Sequence, residues 1–314
     1  MCEFLNPGQV SIGPTKGYYC TGDGSVKEFG KGSGGGIPTL GVDFTYTGTC
    51  TVIDDSEGEN INWRIKFLTS GIFKISNQTS IDLFMVGGGS SGQDGNNSGT
   101  GGTGGGSGYT KTEKGIVLSP NTNYQIIIGD GGASTNASSS PSSNSGGDSS
   151  AFNFSVDGGG KVRCWNGGSG GGVGSQTKSN GSTIEAGAGG SDGSDGIKNS
   201  YNWTGGAGQG TTTREFGEST GDLYAGGGGG GGGALSGYHS SGAYGGEGGG
   251  GHGAWIKGYA GTASGIYSGQ AAAGETNTGS GGGGGAYHTM TNSDLYIPSG
   301  AGGSGIIVIR NKRS

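Results

Sequence analysis

The sequence predicts an all-β protein: a β-sandwich or jelly-roll base that carries a bundle of glycine-rich polyproline-II helices, with almost no α-helix. Three observations lead there. Glycine supplies 85 of 314 residues, against about 7% in ordinary proteins. Short β-type segments with period-two alternation precede the glycine-richest part, and an apolar strand, Ile306 to Ile309, follows it. No stretch carries a 3.6-residue apolar period.

Residues 1–42 form a first block with short strands at best and a glycine-rich hinge from Gly30 to Gly36. It reads as an attachment segment. Residues 43–165 read as the β base. VDFTYTGTCTVI alternates and is rich in β-branched and aromatic residues. Trp63 to Leu68 and Gly71 to Ile75 read as a hairpin over Thr69-Ser70-Gly71. Ser80 to Val86 is mostly apolar and predicts a buried central strand. Tyr109 to Leu118 alternates again, and Tyr124 to Gly129 follows a Pro120-Asn121 turn. Ala151 to Val156 and Lys161 to Trp165 read as a further hairpin. Short strands with turn signals at this spacing suggest a sandwich or jelly roll.

Residues 166–304 are the glycine region. Gly226 to Gly233 is an unbroken run of eight and Gly281 to Gly285 a run of five. Shorter runs already interrupt the base at Gly87 to Gly89 and Gly104 to Gly106. Polyproline II rises about 3.1 Å per residue, turns every three residues and has no internal hydrogen bonds. Its backbone groups therefore point outward in three directions, and helices without side chains can approach closely enough to bond one another. An inner helix needs glycine on every face. Run length thus reports burial, and Gly226 to Gly233 is the expected most central helix. Fixing each backbone costs about 1–2 kcal/mol, glycine most of all, while a hydrogen bond returns about 1 kcal/mol net. The bundle needs a hydrophobic base, with Ile306 to Ile309 tying its far end into it.

Composition excludes several alternatives. Six prolines and no strict Gly-X-Y period exclude collagen. With only 13% charged residues, no self-repulsion holds the chain open as in a disordered tail. The net charge of −6 comes with no basic stripe, which argues against a nucleic-acid partner. No apolar run approaches 18 residues, so membrane insertion is not expected. The start, MCEFLNPGQVSIG, lacks the basic and apolar regions of a signal peptide. Cys2, Cys20, Cys50 and Cys164 form no C-x-x-C pair. A Cys20–Cys50 disulfide and free buried thiols both fit, with free thiols favoured.

Three stretches together carry a family resemblance: FLTSGIFKI…SIDLFMVGGG, GGGSGYTKTEKGIVLSPNTNYQIIIGDGG and the closing GGSGIIVIR. They resemble the glycine-rich domain of many bacteriophage and prophage virion proteins of tail-fibre, receptor-binding or minor structural type. The architecture is also similar to the glycine-rich domain of the anaplastic lymphoma kinase ectodomain, a TNF-like β unit carrying polyglycine helices. The resemblance implies a virion protein of tail-fibre or tail-tip type, acting outside the cell at the host surface. It implies an adhesin using loops between polyglycine helices, attached to other virion proteins through its N-terminal segment. The partner would be a host-surface glycan or protein, and a homotrimer is one oligomeric state it allows. The alternatives are a purely structural head-fibre or decoration protein and, less favoured, a polysaccharide depolymerase.

Searches for catalytic chemistry yield little, so no enzyme and no cofactor are expected. G-x-S-x-G occurs at Gly88 to Gly92 and Gly167 to Gly171, but a nucleophile elbow also needs a strand-to-helix turn with a placed His and acid. No P-loop is present. His239, His252 and His288 lie in inserts of the glycine region and read as solvent-facing. Asp192 and Asp195 read as a solvated turn rather than a calcium site. The informative signal is aromatic: Trp203, Phe216, Tyr238, Trp255, Tyr267 and Tyr287 stand among Gly, Ser and Thr in the longer inserts. Rigid aromatics in Tyr/Ser/Gly loops supply contact area at low entropic cost, so these six are the candidate receptor-binding residues. The competing reading makes such rings a substitute core along the lattice edges.

Overall fold

The computed structural model describes residues 10–12, 17–20, 26–29, 36–58, 60–95, 100–135, 142–161, 163–177, 183–184, 192–197, 213–234, 242–257, 267–288 and 295–311. Among them the chain is all-β apart from one 3₁₀ turn, Glu215–Gly217. The strands are β1 (Val10–Ile12), β2 (Gly17–Cys20), β3 (Val26–Phe29), β4 (Phe44–Tyr46), β5 (Cys50–Asp54), β6 (Trp63–Phe67), β7 (Gly71–Ile75), β8 (Thr79–Val86), β9 (Thr110–Leu118) and β10 (Tyr124–Ile126). They continue as β11 (Ser149–Ala151), β12 (Phe154–Val156), β13 (Gln176–Thr177), β14 (Thr183–Ile184), β15 (Gly233–Ala234), β16 (Trp255–Lys257), β17 (Tyr267–Gly269), β18 (Ala286–His288), β19 (Leu295–Ile297) and β20 (Ile306–Asn311).

The chain forms two compact units. The first comprises Met1–Leu83, Glu113–Ile126 and Val308–Ser314, the second Phe84–Thr112 and Ile127–Ile307. Glycine runs as early as Gly87 belong with those of the C-terminal half, so the chain enters the second unit directly from β8.

In the first unit β1, β2 and β3 form an antiparallel meander. The base is built from a three-stranded sheet, β10-β7-β4, and a five-stranded sheet, β5-β6-β20-β8-β9. β8 is apolar and buried along most of its length, as its sequence predicts. β20 lies between β6 and β8. Phe73 of β7 meets Phe67 of β6 edge-on at 5.3 Å and Phe44 of β4 at 5.6 Å, so these rings form the contact layer between the two sheets.

The expected hairpin of Trp63–Leu68 with Gly71–Ile75 is not formed. β6 and β7 belong to different sheets, and Leu68 to Ser70 cross between them. VDFTYTGTCTVI likewise divides at Thr47 to Thr49 into β4 and β5, one in each sheet. The two crossings brace each other: the Thr49 amide donates to Thr69 Oγ1 at 2.8 Å, and the Leu68 amide to the Thr49 carbonyl at 2.9 Å. A side chain at Gly48 would run into the Ser70 carbonyl and the Tyr46 ring, so glycine is required at this close approach. No strand is formed at Lys161 or at Arg163 to Trp165 among the described residues either. The hairpin is β11–β12, turned by Phe152 and Asn153, both at positive φ (52° and 67°) as a two-residue I′ turn requires. Cys50 and Cys164 are free thiols, Cys50 half-buried and Cys164 buried, so the Cys20–Cys50 bond is not made. Burial pushes both thiol pKa values up.

The second unit is a lattice of threefold extended helices. Along 87–94, the amides of Gly87, Ser90 and Gln93 donate to Tyr109, Gly106 and Thr103. Those of Gly88, Ser91 and Asp94 donate to Gly147, Asn144 and Ser142, and those of Gly89 and Gly92 to Gly303 and Gly300. Every third residue returns to the same neighbour, which is the period of polyproline II.

Segment 279–287 is enclosed on all sides. Gly281 and Gly284 donate to Gly226 and Gly229, Gly282 and Gly285 to Ser90 and Gln93, and Gly283 to Ala272. In return it accepts from Gly105 and Gly102, from Gly251 and Ala254, and from Gly303 and Gly300. The surrounding segments are also bonded to one another, for example Ser90 to Gly106, Gly228 to Gly105, Gly229 to Gly251, Ala272 to His252, Gly274 to Ala301 and Gly89 to Gly303. This closes a hexagon around 279–287.

Gly226–Gly233 is buried throughout and borders this hexagon, with bonds to 101–105, 170–175, 243–246, 249–254 and 279–287 among the described residues. Run length is not the sole guide to burial, because an enclosed helix can also carry serine. Ser90 and Ser91 are fully buried. The Ser90 hydroxyl donates to the Gly106 carbonyl at 3.2 Å, and Ser91 Oγ accepts the Asn144 amide at 2.8 Å.

Candidate functional site

Hydrogen-bond register fixes the direction of each rod. Gly172 and Ser175 donate to Gly228 and Gly231, Gly226 and Gly229 to Gly248 and Gly251, Gly281 and Gly284 to Gly226 and Gly229, and Gly282 and Gly285 to Ser90 and Gln93. Both partners advance together in every pair, so 87–94, 170–175, 226–233, 249–254 and 279–287 all run the same way. Segment 129–135 shares that direction, because it and 87–94 both run against 298–305: Gly302 and Gly305 donate to Gly132 and Gly129, and Gly89 and Gly92 to Gly303 and Gly300.

The consequence is a crown. The described residues that lead into connections 96–99, 136–141, 178–182, 235–241, 258–266 and 289–294 all lie at the same end of the lattice. Short strands finish the rods there. β15 pairs parallel with β18, β18 antiparallel with β19, β16 with β17 and β13 with β14. Ala254, Ile256, Ala286 and Ile297 form a small apolar cluster beneath them. This cluster anchors the hairpins where the glycine rods offer no side chains to pack.

The model of the glycine-rich domain family matches residues 68–312. The chain belongs to the glycine-rich domain family. No curated protein matches it. In this glycine-rich domain the candidate aromatic residues separate into distinct environments.

Trp255 is half-buried at the start of β16, opposite Gly269, with its indole lying over the Gly269 backbone. It is the described candidate that presents ring surface at the crown. Tyr287, on β18, is 1% exposed and lies 4.9 Å from Tyr296, its cross-strand partner on β19. Phe216 is also buried. Its ring lies 6.1 Å from Phe84, and Tyr224 lies 5.5 Å from the same Phe84 ring. Phe216 adopts a positive φ of 57°, a strained conformation for a bulky residue that delivers its ring into the core. Phe216 and Tyr287 are thus core rings and offer no face to a ligand, as the substitute-core reading expects for lattice-edge aromatics. Trp203 and Tyr238 lie outside the described residues, as does the side chain of Tyr267, whose backbone pairs with Lys257.

The polar candidates are also placed. His252 is exposed, and its Nδ1 accepts the Gly245 amide at 3.2 Å beside the Tyr244 ring. His239 and the side chain of His288 lie outside the described residues. Asp192 is engaged by Thr213 at 3.1 Å and by Arg214 at 3.3 Å. Among the described residues, no group of three or more His, Cys, Asp or Glu could hold a metal ion. Among the same residues, no helix is long and apolar enough to cross a membrane.

Two further crown residues stand outside the six candidates. Tyr296, one of the aromatics of the inserts, is half-exposed. Asp94 is buried, and no sequence signal separates it from the solvated acids common among glycines.

Proposed function

We propose that this glycine-rich domain protein is a non-enzymatic bacteriophage virion protein of tail-fibre or tail-tip type. It binds the host surface through the crown and attaches to other virion proteins through its N-terminal segment. The observation that carries this reading is directional: rods from distant parts of the chain run the same way, so their described ends and the short strands that finish them gather at one end. Recognition surfaces are commonly carried by such a rigid scaffold. Trp255 adds a held aromatic ring there, and Tyr296 a second. The partner is a glycan or protein of a bacterial surface, and the site of action is the virion exterior.

A second reading, a purely structural virion component, draws support from the burial of Phe216 and Tyr287, which reduces the aromatic surface on offer. The test uses the labelled full chain on a panel of bacterial strains, beside a Trp255→Ala/Tyr296→Ala variant whose circular dichroism matches the parent. Strain-selective binding that the variant loses is the expected result. Absence of binding to every strain, with the fold intact, would sink the adhesin reading in favour of the structural one. Release of reducing sugar from host polysaccharide would instead make the protein an enzyme.

A further inference from the structure

Asp94 ends the 87–94 rod at the crown and is 1% exposed. Its carboxylate accepts from neutral donors. Oδ1 takes the Thr135 hydroxyl at 2.7 Å and the Ser299 amide at 3.2 Å, and Oδ2 takes the Ser142 hydroxyl at 3.2 Å. Thr135 Oγ1 also lies 2.8 Å from Ser299 Oγ, and the Asp94 amide donates to the Ser142 carbonyl at 3.3 Å. A carboxylate buried among neutral partners is expensive. The lattice does not need one, since glycine and serine satisfy its backbone elsewhere.

The position of the donors shows what the charge gathers. Thr135 and Ser142 flank connection 136–141. Asp94 stands just before connection 96–99. Ser299 follows β19, which carries Tyr296. One buried group therefore holds the roots of three stretches that lie far apart in sequence. Hydrogen bonds to a charged acceptor are the stronger kind, and this acceptor has lone pairs for all of these donors.

We propose that Asp94 is a positioning residue: a latch that fixes Thr135, Ser142 and Ser299 against the end of the 87–94 rod and so pre-organises the described end of the lattice that carries Trp255 and Tyr296. Its effect on ligand binding rests on the adhesin reading, whereas the latch itself does not. Asp94→Ala removes every acceptor. Asp94→Asn keeps an oxygen for Thr135 and Ser299 and can donate to Ser142, so it serves as the conservative rescue.

Hydrogen exchange of the full chain tests the latch. In Asp94→Ala, exchange at the Thr135 and Ser299 amides should rise roughly tenfold or more, with Gly282 to Gly284 unchanged. Asp94→Asn should return most of that protection. On a strain that the parent binds, Asp94→Ala should dissociate about tenfold faster, as expected when pre-organisation is lost, and Asp94→Asn should largely restore the parent rate. Unchanged exchange at Thr135 and Ser299 would overturn the latch. Equal loosening at Gly282 to Gly284 would also overturn it, making Asp94 a brace of the whole lattice. Local loosening with unaltered dissociation would refute its positioning role. If the parent binds no strain, the adhesin reading fails, while the exchange results still decide whether the latch exists.

Discussion

At Gly284 a single hydrogen atom decides whether two rods can touch. A methyl group there would fall inside the van der Waals radius of the Gly102 carbonyl oxygen, and one at Gly281 would strike the Gly105 carbonyl. The obstacle in each case is backbone from another rod, which cannot rotate away as a side chain could. Ala301 lies on an outer rod and is partly exposed, so its side chain meets no such limit. Gly284→Ala should destabilise the protein by about 1–3 kcal/mol from overpacking, plus about 1 kcal/mol for each displaced hydrogen bond. Ala301→Ser should stay within about 0.5 kcal/mol of the parent. Denaturant midpoints of the two variants measure the difference, and equal midpoints would contradict the close-packed lattice. The serines follow the same rule. They occur inside the lattice only where a hydroxyl can take over a backbone hydrogen bond, as Ser149 does by donating to the Val86 carbonyl at 2.7 Å and accepting from the Gly129 amide at 3.0 Å.

Among the strands, the buried ion pair of β8 and β20 is the costly element. Arg310 Nε lies 3.2 Å from Asp82 Oδ2, with both side chains about 5% exposed, and Asp82 Oδ1 accepts the Gly115 amide at 3.1 Å. Removing one partner strands the other charge in the core, so Arg310→Met should cost about 3–5 kcal/mol. Adding Asp82→Asn to that variant should recover part of the loss, read as a shift in denaturant midpoint. If the double variant is no more stable than the single, an uncompensated charge is not the cause. The strands themselves were largely legible in the sequence, because alternation and β-branching mark β5, β8, β9 and β20 whatever their partners. Pairing was not legible. Period-two alternation reports which face of a strand is buried and not which sheet the strand joins, so a tight crossing such as Leu68 to Ser70 reads as a hairpin turn. Aromatic residues among glycines pointed to rings in the inserts. Composition could not distinguish Trp255, which covers a glycine at the surface, from Tyr287 and Phe216, which the same composition sends into the core.

The molecule as a whole poses a problem of cooperativity. A glycine rod gains about 1 kcal/mol per hydrogen bond against a backbone cost of about 1–2 kcal/mol per residue, so extended stretches of lattice are near balance or below it. Stability must enter through the apolar residues at the ends of the rods. β20 supplies such residues, since Ile306 to Ile309 are all buried. The strand also occupies an interior position between β6 and β8, where its removal would leave unpaired backbone on both sides. Truncation after Gly305 should therefore remove amide protection from the enclosed 279–287 rod, although the described backbone partners of Gly281 to Gly285 all remain in the shortened chain. Hydrogen exchange at Gly281 to Gly285 reads this directly. Exchange approaching unfolded rates would establish that the lattice borrows its stability from the apolar strands. Retained protection would mean that hydrogen bonding between polyglycine rods, closed into hexagons around 279–287, returns more free energy than the ordinary net value, and that the lattice is a folding unit in its own right.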